Sequence, residues 1–201
     1  LYWLSPVVES KTEEHSARLK PSRVFLKRRR FAIPDLRAQL VFWTLAVGGL
    51  ALDLWTKKSV FGWLQHKPGN SVSIVDGFLQ LVTAMNEGAA FGIAAGRHHL
   101  LLAISIIAMI VIFGIFLCSG GQRTLIHVSL ALFAAGVCGN LWDRIFNDGQ
   151  VRDFIDVVYW PGRHWPAFNV ADAMLCIGIG LLVLSTFFTE RSCRKRAQQQ
   201  K

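Results

Sequence analysis

The chain has 201 residues, 52% of them apolar and only 17% charged, with a mean hydropathy of +0.37. An ordinary soluble domain carries about 25% charge, so this balance argues against disorder, a collagen-like fibre and a water-soluble basic domain. The net charge of +9 sits in two tails: residues 1–37 sum to +5, residues 189–201 to +4, and the apolar middle, 38–188, to zero. A nucleic-acid binder carries its basic residues on a folded surface. Basic tails around a neutral, apolar body belong beside an anionic membrane face.

Residues 1–37 read as a flexible basic arm. The first apolar run, Ala38 to about Trp55, is long enough to cross a bilayer core as helix. It has a second reading as a signal peptide behind Arg28–Arg30, with Ala46, Val47 and Gly48 as the small residues, but the cleavage site is poorly placed. The loop 57–99 follows. Within it Val72–Met85 alternates β-branched and aromatic residues with polar ones, which predicts one or two strands. The glycine-rich run Asn86–Gly96 then predicts a turn or a close backbone approach.

The second span is Leu100–Cys118, without a charge. The third is about Thr124–Ile145, and the fourth about Asn169–Phe188, joined to the third by a loop at 146–168. In hydrocarbon every backbone N–H and C=O needs an internal partner, so each run is expected to be a helix. The basic arm, Arg123 in the turn between spans two and three, and the basic tail 189–201 share one side if there are four spans. The positive-inside rule makes that side the cytoplasm. The expected architecture is therefore an all-α integral membrane protein, a bundle of four transmembrane helices, with a little β-structure outside. Trp55, Trp63, Trp142, Trp160 and Trp165 fall near the outer ends of the spans, where tryptophan favours the interface. Cys118, Cys138, Cys176 and Cys193 have neither CxxC spacing nor a disulfide framework, and they read as unreactive.

Ionisable residues at membrane depth are costly and functional by default. Asp53 closes span one, Asp143 and Arg144 close span three, and Asp172 opens span four; Asp148, Asp153 and Asp156 lie in the last outer loop. The topology brings all of them toward one side. Two carboxylates within a few ångströms share one proton and titrate as a coupled pair. Such a pair can take a proton from water and give one to a carbonyl or amine, with no metal and no covalent intermediate. Asp172 with an Asp of the 146–156 loop fits that role, and a proton-coupled transport site fits the same residues. Blander readings stand beside these. Asp143 with Arg144 reads as a structural ion pair, Asp53 with Lys57 as an i,i+4 pair, Asp156 as solvated, and Asn140 and Asn169 as interhelical hydrogen-bond partners. His98 and His99, being adjacent, do not face one metal comfortably, and His127 lies at the opposite side.

Four blocks carry a family resemblance: D-L-W-T-K at Asp53–Lys57, N-E-G-A-A-F-G at Asn86–Gly92, G-N-L-W-D-R at Gly139–Arg144 with G-Q-V-R-D-F-I-D at Gly149–Asp156, and F-N-V-A-D at Phe168–Asp172. In this order, over most of residues 45–188, the chain resembles the lipoprotein signal peptidase (signal peptidase II) family. The resemblance implies a four-helix aspartic endopeptidase of the bacterial inner membrane, cleaving before a diacylglyceryl-modified cysteine. It implies Asp153 and Asp172 as the catalytic pair, with Asp53, Lys57, Asn86, Gly88, Asn140, Asp143, Arg144 and Asn169 binding substrate or supporting the pair. It also implies a small extracytoplasmic β-cradle in the first outer loop, with both termini cytoplasmic and the site toward the outer face. No cofactor is implied and no metal. The implied partners are the lipidated prolipoprotein and membrane lipids, with no nucleic acid, and a monomer is expected. Two features depart from the pattern: the long basic arm, and Arg152 where an apolar residue is usual. A cation there is expected to depress Asp153 unless its side chain reaches lipid headgroups. The alternatives are an inactive relative that binds precursors without cutting them, and a small proton-coupled transporter.

Overall fold

Asp35 starts the first helix: its carboxylate accepts the Ala38 N–H at 2.8 Å, as an N-cap does. From there α1 runs Leu36–Leu64, well past the expected end near Trp55, so Lys57 lies on a helix and not in a loop. The computed structural model describes residues 33–89, 93–120 and 123–199, with side chains described as far as Phe187. The expected basic arm lies outside the described residues except for its last five. The remaining helices are α2 (His98–Leu117), α3 (Thr124–Phe146) and α4 (Val170–Gln199). All four are long and apolar enough to cross a membrane. α4 continues through most of the basic tail as helix, beyond the span expected to end at Phe188.

α3 is the central helix, packed against α1, α2 and α4. Its small residues make this possible. A Cβ on Gly136 would meet the Ala171 carbonyl oxygen at 2.6 Å, so α4 can approach only where that side chain is missing. Phe42 of α1 stacks on Phe116 of α2 with ring centroids 3.8 Å apart, and Leu130, Ala131 and Ala134 of α3 complete that core. The outward face of α2 stays apolar, with Ile107, Ile110 and Val111 all exposed. In water such a surface would be a liability; in lipid it costs nothing.

One end of the bundle carries an antiparallel sheet in the order β1-β2-β3-β4. β1 (Ser71–Val75) and β2 (Leu79–Asn86) form the hairpin expected within 72–85, with Gly77 in the turn at φ 71°. The sheet is not confined to the first loop, however. β3 (Val151–Trp160) and β4 (Arg163–His164) come from the segment read as a plain loop, so an all-α body with a cradle from the first loop alone is corrected. β3 pairs with β2, setting Asp153 opposite Ala84 and Asn86 opposite Val151. On its other side β3 pins Phe168: the Phe154 and Ile155 N–H groups donate to its carbonyl at 3.1 and 2.9 Å, and its own N–H donates to Ile155. One strand thereby sets both the hairpin and the start of α4.

Candidate active site

Asn169 caps α4. Its Oδ1 accepts the Asp172 N–H at 3.0 Å while Asp172 Oδ2 accepts the Asn169 N–H at 3.2 Å. This is a reciprocal capping box, satisfying backbone donors that a helix start leaves unpaired. The Asn169 amide then serves as a junction. Its Nδ2 donates to Asp153 Oδ1 at 2.6 Å, to Asn140 Oδ1 at 3.1 Å and to the Arg152 carbonyl at 3.4 Å. Asn140 donates to Asp172 Oδ1 at 2.8 Å. Asn169 thus bonds to both Asp153 and Asp172, and Asn140 links Asn169 to Asp172.

The other Asp153 oxygen accepts from Asn86 Nδ2 at 2.9 Å. The ladder explains the contact, since Asn86 and Asp153 are diagonal neighbours on one face of the β2–β3 pair. The Gly88 N–H fixes which end of the Asn86 amide faces Asp153, because it donates to Asn86 Oδ1 at 2.9 Å. Asp153 is buried, and burial pushes its carboxyl up to about 6; the neighbouring Asp172 charge adds to this, while the Asn86 and Asn169 hydrogen bonds and Lys57 oppose it.

Beneath these groups lies a buried ionic cluster. The Lys57 ammonium is 2.8 Å from Asp53 Oδ2, 3.2 Å from Asp143 Oδ2 and 3.1 Å from Asn140 Oδ1, and Lys57, Asp53 and Asp143 are wholly buried. Asp53 Oδ1 accepts the Ala171 N–H of α4 at 2.8 Å, a carboxylate at a helix N-terminus. Three of the sequence readings are corrected here. Asp143 pairs with Lys57 and Arg152, not with its neighbour Arg144. Arg152 faces Asp143 and not lipid headgroups, and Asp153 is raised on balance rather than depressed. Asp156 is buried between Gln80 Nε2 at 2.7 Å and His164 Nδ1 at 2.8 Å, and is not solvated. His98 and His99 turn their Nε2 atoms to within 2.9 Å of each other, closer than their adjacency led us to expect.

Arg144 reaches the Gly88 carbonyl at 3.1 Å and the Asn140 carbonyl at 3.3 Å, while its Nε is buried without a hydrogen-bond partner among the described residues. It lines a cavity of about 750 Å³ together with Asp153, Asp172, Asn86 and Asn140. Ile104, Ala108, Val137 and Leu175 line its apolar part. Gly88 and Ala89 border it, whereas Ala90 and Gly92 lie outside the described residues. The cavity therefore joins a polar head to an apolar body between α2, α3 and α4. The sequence expectation missed β3 and the Arg152–Asp143 pair. The available signal for the strand was the run of β-branched and aromatic residues, Val151, Phe154, Ile155, Val157, Val158, Tyr159 and Trp160.

The cluster depends on Gly139. A Cβ there would lie 2.9 Å from Asp53 Cγ and 3.3 Å from Ala171 Cβ. Gly139→Ala is therefore expected to destabilise the protein by ~1–3 kcal/mol through overpacking, read as a melting temperature lower by several degrees in detergent. Gly114→Ala, where nothing lies within 4 Å, is the control and should not fall. Equal melting of the two would remove the close approach from the account.

Comparison with known proteins places this arrangement. The family model described as Signal peptidase (SPase) II matches residues 45–188. A lipoprotein signal peptidase of Sulfurihydrogenibium sp. is 43% identical over 140 residues, covering 67% of this chain and 83% of that relative. One of Geobacter sulfurreducens is 36% identical over 154 residues, covering 75% and 94%. Among solved structures, a bacterial membrane enzyme determined by the in meso method superposes with a TM-score of 0.65 at 30% identity, covering 77% of this chain and 90% of that one.

Proposed function

The chain belongs to the signal peptidase II family, and it is accordingly a bacterial membrane protease that removes signal peptides from prolipoproteins; from that premise we propose that Asp153 and Asp172 are the pair that performs the cleavage. The observation that carries this reading is the shared asparagine support: Asn169 bonds to both carboxylates, and Asn140 to Asp172, at the polar head of one cavity. One carboxylate, ionised, takes a proton from water. The water oxygen attacks the scissile carbonyl while the other carboxyl, protonated, gives its proton to the carbonyl oxygen; as the C–N bond breaks, the first carboxyl passes the proton it took from water to the leaving amine and the second takes one back from the diol hydroxyl. The Arg144 Nε, without a partner among the described residues, is placed to donate to a backbone carbonyl of the bound peptide. Gly88 and Ala89 leave room for small signal-peptide residues, and the apolar walls suit the diacylglyceryl chains.

Asp53, Lys57, Asn86, Asn140, Asp143 and Asn169 support the pair through the contacts described. The sheet and the site lie at the extracytoplasmic end, with residues 1–37 and 189–201 as basic cytoplasmic segments flanking the peptidase body 38–188. The positive-inside rule supports this orientation. The protein acts as a monomer among membrane lipids.

The test is cleavage of a diacylglyceryl-modified prolipoprotein by the purified enzyme across pH 4–8. With Asp153 raised to about 6, the rate should fall as pH rises above about 6, because Asp153 then loses its proton and the pair has no acid left to donate to the carbonyl oxygen. Stability should run the same way. Between the ordinary 3.8 and about 6 the folded protein holds a proton that the unfolded chain has released. This stabilising contribution is complete below 3.8 and is lost as pH rises through about 6. A pH-independent rate from 4 to 8 would overturn the assignment.

A further inference from the structure

Arg152 lies immediately before Asp153 on β3, opposite Met85 in the ladder. Its guanidinium holds Asp143 of α3: Nη2 donates to Oδ1 at 2.6 Å and Nε to the same oxygen at 3.2 Å. Its backbone N–H donates to Oδ2 at 3.0 Å. Asp143 is fully buried, and the Arg152 side chain is only 21% exposed. The count of charge shows what this does. Asp53, Lys57 and Asp143 by themselves are two buried carboxylates on one ammonium, a net −1 directly behind Asn140. Arg152 brings the cluster to neutrality. Lys57 then keeps its third contact, to Asn140 Oδ1, and Asn140 donates to Asp172.

We propose that Arg152 is a positioning residue for the cleavage reaction: it neutralises Asp143 so that Lys57 holds Asn140 and thereby Asp172, and it clamps β3 to α3 so that Asp153 stands beside it. The inference rests on Asp153 and Asp172 being the reacting pair. Arg152 is not among the residues lining the cavity, so its effect should fall on turnover and on the proton balance of the pair rather than on substrate binding. The charged groups around the pair are Asp53 and Lys57 on α1, Asp143 and Arg144 on α3, Arg152 on β3 and Asp172 itself on α4; the nearby Glu87 is taken up by Gln150 at 3.0 Å.

The experiment measures kcat and KM from pH 4.5 to 8.5 for wild type, Arg152→Gln, Arg152→Lys and the double variant Arg152→Gln with Asp143→Asn. Melting in detergent is followed alongside. Arg152→Gln leaves one buried negative charge uncompensated, which opposes ionisation of Asp153. The limb set by Asp153, where activity falls as pH rises, should move up by about one pH unit, with kcat on the plateau down ~10- to 100-fold and KM within about twofold. Arg152→Lys and the double variant are both neutral in the cluster, and their limbs should stay at the wild-type position. An unmoved limb in Arg152→Gln overturns the proposal even if kcat falls, since a merely structural residue would do that. If Arg152→Gln does not fold, a displaced limb in either neutral variant overturns it and a wild-type limb in both supports it. Asp153→Asn and Asp172→Asn are assayed in parallel. Wild-type turnover by either removes the pair itself, whereas inactivity of both with an unmoved Arg152→Gln limb removes only the role of Arg152.

Discussion

Asparagine at position 153 or 172 is expected to lower turnover at least ~10³-fold, while leaving the precursor able to bind. The substitution preserves shape and removes the one property the mechanism needs, a site that gains and loses a proton. The surroundings make it worse than isosteric. Both oxygens of Asp172 accept, one from Asn140 Nδ2 and the other from the Asn169 N–H. An amide there must turn its NH₂ group against one of those donors. Asn140 cannot flip to accommodate it, because its own Oδ1 already accepts from Lys57 and Asn169. At 153 the same conflict arises with Asn86, whose orientation the Gly88 N–H fixes. The measurement is single-turnover cleavage of a lipidated prolipoprotein together with retention of uncleaved precursor on the immobilised enzyme. Full activity in either variant refutes the mechanism. Loss of both cleavage and retention would mean that the pair shapes the site rather than reacting in it.

The sequence made the helices legible because their physics is local. Four apolar runs of bilayer length predict four helices whatever their neighbours, and the observed starts differ from the expected ones by only one or two residues. The hairpin at 71–86 was legible for the same reason. What was hidden is the part set by partners distant in sequence. β3 is a strand because β2 lies on one side and Phe168 on the other, contacts spanning more than sixty residues in the first case. Asp143 followed by Arg144 invites a local ion pair, yet on a helix successive side chains diverge by about 100°, so Asp143 faces the buried Lys57 while Arg144 faces the cavity. Asp156 reads as solvated because nothing in its neighbourhood foretells Gln80, which arrives from the first hairpin. The carboxylates themselves stood out early, because an acid near hydrocarbon needs a reason. Which of them face one another depended on β3, and there the residues alone left Asp153 and Asp156 undivided.

Lys57→Met should be the most destabilising single change at this end of the bundle. The ammonium is wholly buried and touches two carboxylates, themselves wholly buried, and one amide oxygen. Removing one partner of a buried ion pair typically costs ~3–5 kcal/mol, because the remaining charge has neither water nor a counterion. The two carboxylates would not suffer equally. Asp143 retains Arg152, whereas Asp53 retains only the Ala171 N–H. Asp53 is thus the group left stranded, and replacing it should repair the damage. Asp53→Asn still offers an oxygen to Ala171 and carries no charge, so the double variant Lys57→Met with Asp53→Asn should melt above Lys57→Met alone, with a coupling of about 1–3 kcal/mol. Activity should not recover with stability, because Asn140 still lacks its contact to Lys57, and Asp172 depends on Asn140. Thermal unfolding in detergent and cleavage assays on the same preparations separate the two effects. If Lys57→Met melts like wild type, the buried ammonium does not hold these helices together; if the double variant melts no higher than the single, the stranded charge is not Asp53.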